Sequence, residues 1–209
     1  MSESLIQLIE QHQALQVGEF VLKSGIKSPV FFNFGLINTA TGLSQLGEMF
    51  RDRILEQGWA FDYLVGPAYK GIPIATATAV SLAALDNMPN MQNLKLAYNR
   101  KEAKSHGEGG AWVGDISRSK VVLIDDVLTA GTALSQAVAA VKAAEAELLG
   151  VVIALDREQK GRDGKTTADR LQAEWGVPVV SLLTLTQMIS YYKKIGDEKI
   201  LVALQSIAG

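Results

Sequence analysis

Two adjacent carboxylates, Asp125 and Asp126, follow the apolar run Val121-Val122-Leu123-Ile124 and precede Val127-Leu128-Thr129-Ala130-Gly131-Thr132-Ala133. Paired carboxylates can accept hydrogen bonds from two neighbouring hydroxyls, as on a ribose. The small residues behind them let a backbone approach a ligand closely. Free N–H groups at the start of a helix suit a phosphate. One segment could therefore hold a sugar together with its phosphate. Feature by feature the same residues also describe an acidic strand end and a Thr-capped helix, so it is their combination that points to a ligand.

Three other segments carry charge in unusual places. Gly66-Pro67-Ala68-Tyr69-Lys70-Gly71-Ile72-Pro73 sets Lys70 beside the N–H groups of a helix start, with Pro73 fitting its first turn. That arrangement suits a diphosphate and equally suits a plain strand-to-helix turn. The stretch Tyr98 to Gly110 packs Arg100, Lys101, Lys104 and His106 beside Gly107, Gly109 and Gly110. Such a loop could fold over a polyanion and exclude water, although charged glycine loops are commonly just solvated. The last segment, Asp156-Arg157-Glu158-Gln159-Lys160-Gly161, is by itself an ordinary charged loop. The other histidine, His12, sits in a helical pattern and reads as a surface residue.

The elements that must position these groups follow from periodicity. Leu5, Leu8, Ile9 and Leu15 recur at helical spacing. Glu19–Leu22 and Val30–Phe34 read as strands around the turn-rich Lys23–Pro29, a small N-terminal hood. Leu43 to Gln57 reads as a helix that Gly58 stops. Short apolar strands are expected at Tyr63–Val65, Leu94–Tyr98, Val121–Ile124, Gly150–Leu155 and Val179–Leu183. Helices are expected from the Gly66–Gly71 turn to Leu85, after Asp125–Ala133 through Ala146, and over Thr166–Trp175. Apolar strands alternating with helices imply a mainly parallel sheet covered on both faces. In such sheets ligands bind outside the carboxyl ends of the strands. The segments at Gly66, Asp125 and Asp156 each begin where an apolar strand ends, so three of them converge on one crevice. Asn87–Asn93 is a polar loop with no assigned role.

Composition removes several classes of function. The chain has no cysteine, which excludes disulfides, thiolate metal sites and a Cys nucleophile. A net charge of −2 gives no reason to expect a nucleic-acid partner. The first residues, MSESLIQLIEQHQALQ, lack the pattern of a secretory signal. The most apolar helical stretch, Ile72–Leu85, is too short to span a bilayer. The expectation is a soluble, cytoplasmic protein that neither binds nucleic acid nor enters a membrane. No G-x-x-x-x-G-K-[ST] or G-x-G-x-x-G stretch occurs, which excludes P-loop and dinucleotide-binding readings.

With these residues in view, Asp125–Ala133 resembles the phosphoribosyl-diphosphate signature of the type I phosphoribosyltransferases. Phe20–Gly25, Ser28–Asn33, Gly66–Pro73 and Arg100–Gly110 are similar to the orotate phosphoribosyltransferases among them. The resemblance runs from about Glu19 to Arg157. It implies one α/β domain over 1–209, with a mainly parallel sheet flanked by helices and a hood drawn mainly from about 1–40. It implies transfer of phosphoribosyl from 5-phosphoribosyl 1-diphosphate (PRPP) to orotate, with Mg²⁺ carried mainly by PRPP and no dedicated protein metal site. By the same resemblance Lys23 would touch both substrates, and Phe31 and Phe32 would hold the orotate ring edge through backbone groups. Tyr69 and Lys70 would contact the diphosphate. Arg100, Lys101, Lys104 and His106 would form the catalytic lid. Asp125 and Asp126 would hold the ribose hydroxyls, and Thr129, Ala130, Gly131, Thr132 and Ala133 the 5′-phosphate, with Val127 and Leu128 completing the PRPP loop. Thr129 and Arg157 would contact orotate, Arg157 near its carboxylate. A homodimer that shares its lids is the expected assembly. A purine or uracil phosphoribosyltransferase would share Asp125–Ala133 without needing Arg157 and the hood. A regulator that only senses PRPP should lose the basic lid, which is complete here.

Overall fold

The computed structural model describes residues 2–21, 27–104 and 110–208. The chain opens with helix α1 (Ser2–Gln11), whose Leu5, Ile6, Leu8 and Ile9 form its buried face. Leu15, expected in that helix, instead begins strand β1 (Leu15–Val21), which pairs antiparallel with β2 (Lys27–Phe32). The change occurs at Gln13, whose left-handed backbone (φ 52°) ends the helix. Phe34, expected in β2, lies in a 3-10 turn over Phe34–Leu36. Helix α2 (Ala40–Leu55) starts earlier than Leu43 because the Thr39 side chain accepts the Gly42 N–H at 3.1 Å, a helix cap.

The main sheet has the order β5-β4-β3-β6-β7-β8. Its strands are β3 (Tyr63–Val65), β4 (Lys95–Lys104), β5 (Gly110–Val113), β6 (Lys120–Leu128), β7 (Glu147–Asp156) and β8 (Val179–Thr184). All neighbours are parallel except β5, which runs antiparallel to β4. Helices α3 (Gly71–Ala83), α4 (Thr132–Ala143) and α5 (Thr167–Trp175) supply crossovers, and α6 (Leu185–Ile195) and α7 (Glu198–Gln205) follow β8.

The run Val121–Ile124 shows why the sheet is covered on both faces. Val122 and Ile124 enter a core built with α1, α2, α3, α6, α7 and hood residues Val30 and Phe32. Val121 and Leu123 enter a second core with α4 and Leu171 of α5. A strand with apolar side chains on both sides has no solvent face to offer, hence its unbroken hydrophobicity. Asn87–Asn93 contains a 3-10 turn at Pro89–Asn93. Among the described residues, no helix is long and apolar enough to cross a membrane.

Candidate active site

Asp125 and Asp126 lie on the last half of β6, just past its fully buried segment. The Asp126 N–H donates to Asp125 Oδ1 at 2.9 Å. Burial, helped by the charge of Asp126, pushes the Asp125 carboxyl up to about 7. Beyond β6 the chain is exposed at Thr129 and Ala130, then enters α4 through Gly131. Gly131 has φ 80°, and a Cβ there would meet Leu171 Cδ1 at 2.9 Å and Thr167 Cγ2 at 3.0 Å. Only glycine fits both constraints. No side chain caps α4, so its first-turn N–H groups are left to a ligand or solvent.

The turn after β3 is tighter still. A Cβ on Gly71 would meet Pro67 Cδ at 2.8 Å and Gly66 C at 3.0 Å, so the two ends of the turn pack backbone on backbone. The Ala68–Tyr69 peptide is cis. Lys70 follows at the start of α3, and its Nζ lies 3.1 Å from Asp126 Oδ2. The Ala68 N–H donates to Asn99 Oδ1 at 2.9 Å, a bond from β4 that the residue pattern did not disclose. The hood reaches the same place: the Cβ direction of Gly35 points within 3.8 Å of Lys70 Cε.

At the end of β7, the Arg157 N–H donates to Leu128 O at 3.2 Å, which fastens this turn to the end of β6. The Glu158 N–H donates to Asp156 Oδ1 at 2.8 Å, and Glu158 Oε2 accepts the Thr186 N–H of α6 at 2.6 Å. Between these two anchors sits Arg157, whose Nε is buried without a hydrogen-bond partner. Burial holds its guanidinium below the usual arginine range, and no ion pair to it occurs among the described residues. A desolvated cation without an anion is costly and calls for one from outside.

In the hood, Phe32 is buried, and Phe31 packs its ring 5.6 Å from that of Phe20. The basic stretch after Tyr98 was expected to be a loop. Its first part is instead strand: β4 continues through Arg100 and Lys101 to Lys104, paired with β5 through Asn99↔Trp112 and Lys104↔Gly110 across an irregular register. Lys23 and His106, with the side chains of Lys101 and Lys104, lie outside the described residues. The described site groups thus stand at the ends of β3, β6 and β7, and Lys70 and Asp126 meet directly. Among the described residues, a hollow of about 410 Å³ lies between α1 and α2, remote from the strand ends, and one of about 550 Å³ lies between α4 and α5, touching Ala130 and Thr132.

Residues 39–182 match the phosphoribosyl transferase domain family. The chain is 46% identical over 185 residues to an orotate phosphoribosyltransferase of Salmonella typhi, covering 88% of this chain and 85% of that one. Its similarity to the Klebsiella pneumoniae enzyme of the same name is 46% over 182 residues, covering 87% and 84%. The crystal structure of the Francisella tularensis orotate phosphoribosyltransferase superposes with a TM-score of 0.78 at 34% identity, covering 97% of this chain and 96% of that one. The matched residues include the β3, β6 and β7 strand ends, and the chain belongs to the orotate phosphoribosyltransferases of the phosphoribosyl transferase domain family.

Proposed function

We propose that the chain transfers the phosphoribosyl group of PRPP to orotate, releasing diphosphate and orotidine 5′-monophosphate, a step of pyrimidine nucleotide formation. The observation that carries this reading is the placement of Lys70, Asp125, Asp126 and Arg157 after the ends of three adjoining strands, with Lys70 paired to Asp126. In this reading the Asp125 and Asp126 carboxylates hold the ribose hydroxyls. The Thr129–Ala133 turn and the open N-terminus of α4 hold the 5′-phosphate. Tyr69 and Lys70 take the diphosphate, and Arg157, without an ion-pair partner among the described residues, takes the orotate carboxylate, a pairing that two parallel N–H···O bonds would favour. Thr129 joins Arg157 at the base, Lys23 bridges both substrates, and the backbone of Phe31 and Phe32 lines the ring edge.

The bond from the anomeric carbon to diphosphate breaks as a ring nitrogen of orotate bonds to that carbon. Positive charge develops on the sugar and negative charge on the leaving group. No nucleophilic side chain is needed. Lys70 and the lid residues Arg100, Lys101, Lys104 and His106 stabilise the leaving charge and exclude water, while the two binding sites hold the reactants face to face. Mg²⁺, when bound, would neutralise part of the diphosphate charge. An ion held by substrate oxygens and waters suits these side chains, since the Asp126 carboxylate is engaged by Lys70 at 3.1 Å and Asp125 is largely withdrawn from solvent.

The same reading places the enzyme in the cytoplasm as a homodimer whose lids serve the partner's site, with small-molecule substrates and no nucleic-acid or membrane partner. Steady-state assays with PRPP and Mg²⁺ against a panel of bases test the activity. Orotate should give orotidine 5′-monophosphate, and chelation of Mg²⁺ should abolish it. Product with hypoxanthine, adenine or uracil but none with orotate would overturn the choice of base.

A further inference from the structure

We infer that Asn99 is a positioning residue that ties the diphosphate turn to the strand bearing the basic lid. The inference rests on the reading above that Lys70 meets the diphosphate. The parallel ladder between β3 and β4 ends at Val65↔Ala97, and the Gly66 N–H extends it by one bond to Ala97 O at 3.0 Å. Beyond that point the two backbones part: β4 continues as a hairpin with β5. Pro67 has no N–H to offer. The next donor in the turn, the Ala68 N–H, is met by a side chain, Asn99 Oδ1, at 2.9 Å.

The position of this bond gives it a use. Ala68 directly precedes Tyr69 and Lys70, and Asn99 directly precedes Arg100, the first basic residue of the lid. One hydrogen bond thus sets the turn against the root of the lid, while Asp126 holds Lys70 from the other side at 3.1 Å. The amide orientation follows from chemistry, since an N–H donor must meet the side-chain oxygen. An aspartate would accept the same bond but would bring a negative charge to a site for diphosphate. The neutral amide fixes the turn without opposing the ligand.

The test uses the full chain with Asn99→Ala, Asn99→Asp and, as a control of the site itself, Lys70→Ala. Readouts are kcat, KM for each substrate, and hydrogen exchange at the Ala68 amide. Asn99→Ala should raise the PRPP KM roughly tenfold, the effect of losing one well-placed hydrogen bond. It should leave the orotate KM within about twofold, a merely structural defect being expected to move both. It should also speed exchange at Ala68, and Asn99→Asp, which keeps the acceptor, should restore protection there. Wild-type exchange in Asn99→Ala, unprotected Ala68 in Asn99→Asp, or equal rises in both KM values would overturn the inference. If Asn99→Ala does not fold, Asn99→Ser, too short to reach Ala68, carries the same comparison. An unchanged PRPP KM in Lys70→Ala would instead refute the diphosphate reading, and Ala68 exchange would still decide whether Asn99 holds the turn.

Discussion

Asp125 is held by its surroundings near the pH at which the protein would work. Burial lifts its carboxyl from an ordinary 3.8 to about 7, so between those values the folded chain holds a proton that the unfolded chain has released. Stability from this group is therefore full below about 4 and is lost as pH rises through about 7. Ligand binding should run the other way, because an ionised carboxylate is the better acceptor for ribose hydroxyls. Asp125→Asn should flatten the fall in thermal stability between pH 5 and pH 8 and weaken PRPP binding above pH 7. PRPP titrates too, so the measurement is the difference between wild type and variant by calorimetry across that range. An identical pH slope in both proteins would assign the titration to another group. Arg157 poses the opposite case, a half-buried cation with no ion-pair partner among the described residues. Arg157→Ala should raise the orotate KM roughly 10- to 100-fold, as expected for loss of a charge-assisted pair, with far less effect on PRPP. Equal effects on both substrates would move Arg157 away from the base.

Among the elements, the β6-to-α4 turn couples the proposed phosphate site to packing on α5. Gly131→Ala would add a Cβ against Leu171 and Thr167 at a backbone angle that L side chains rarely adopt. The cost should be about 1–3 kcal/mol, and each kcal/mol should lower Tm by about 2–4 °C for a chain of this size. Because the same displacement moves the N-terminus of α4, PRPP binding should weaken along with Tm. A normal Tm in calorimetry would show that the turn relaxes freely. The proposed lid begins on an element the residue pattern obscured. Charged residues and glycines read as loop, yet β5 completes a hairpin that carries Arg100, Lys101 and Lys104 on β4. Cross-strand pairing supplied a partner that sequence spacing did not show.

For the whole molecule, the proposed exchange of lids between two subunits has a direct test. Lys104→Ala should be nearly inactive for want of lid charge, and Asp125→Asn with Asp126→Asn for want of a sugar site. Mixed dimers of the two would contain one site with an intact lid and an intact pocket. With random exchange, activity should recover toward about a quarter of wild type. If mass spectrometry confirms exchange and no activity returns, each lid serves its own subunit.

Much of the architecture is local and was legible in the residues. The unbroken apolarity of Val121–Ile124 required a strand buried on both faces, and its end placed Asp125 and Asp126 at the crevice. The small residues behind them marked a loop leading into a helix, which begins at Thr132. Periodicity and punctuation are properties of neighbours along the chain, so they survive without knowledge of the fold. The contacts that give the site its electrostatics are of another kind. Lys70 meets Asp126 because β3 lies beside β6, and Asn99 meets Ala68 because β4 lies on the other side of β3. Glu158 turns its carboxylate to the N–H of Thr186 on α6, and Arg157 has no ion-pair partner among the described residues. Strand order and burial decide such meetings, and both arise only when distant segments share one core.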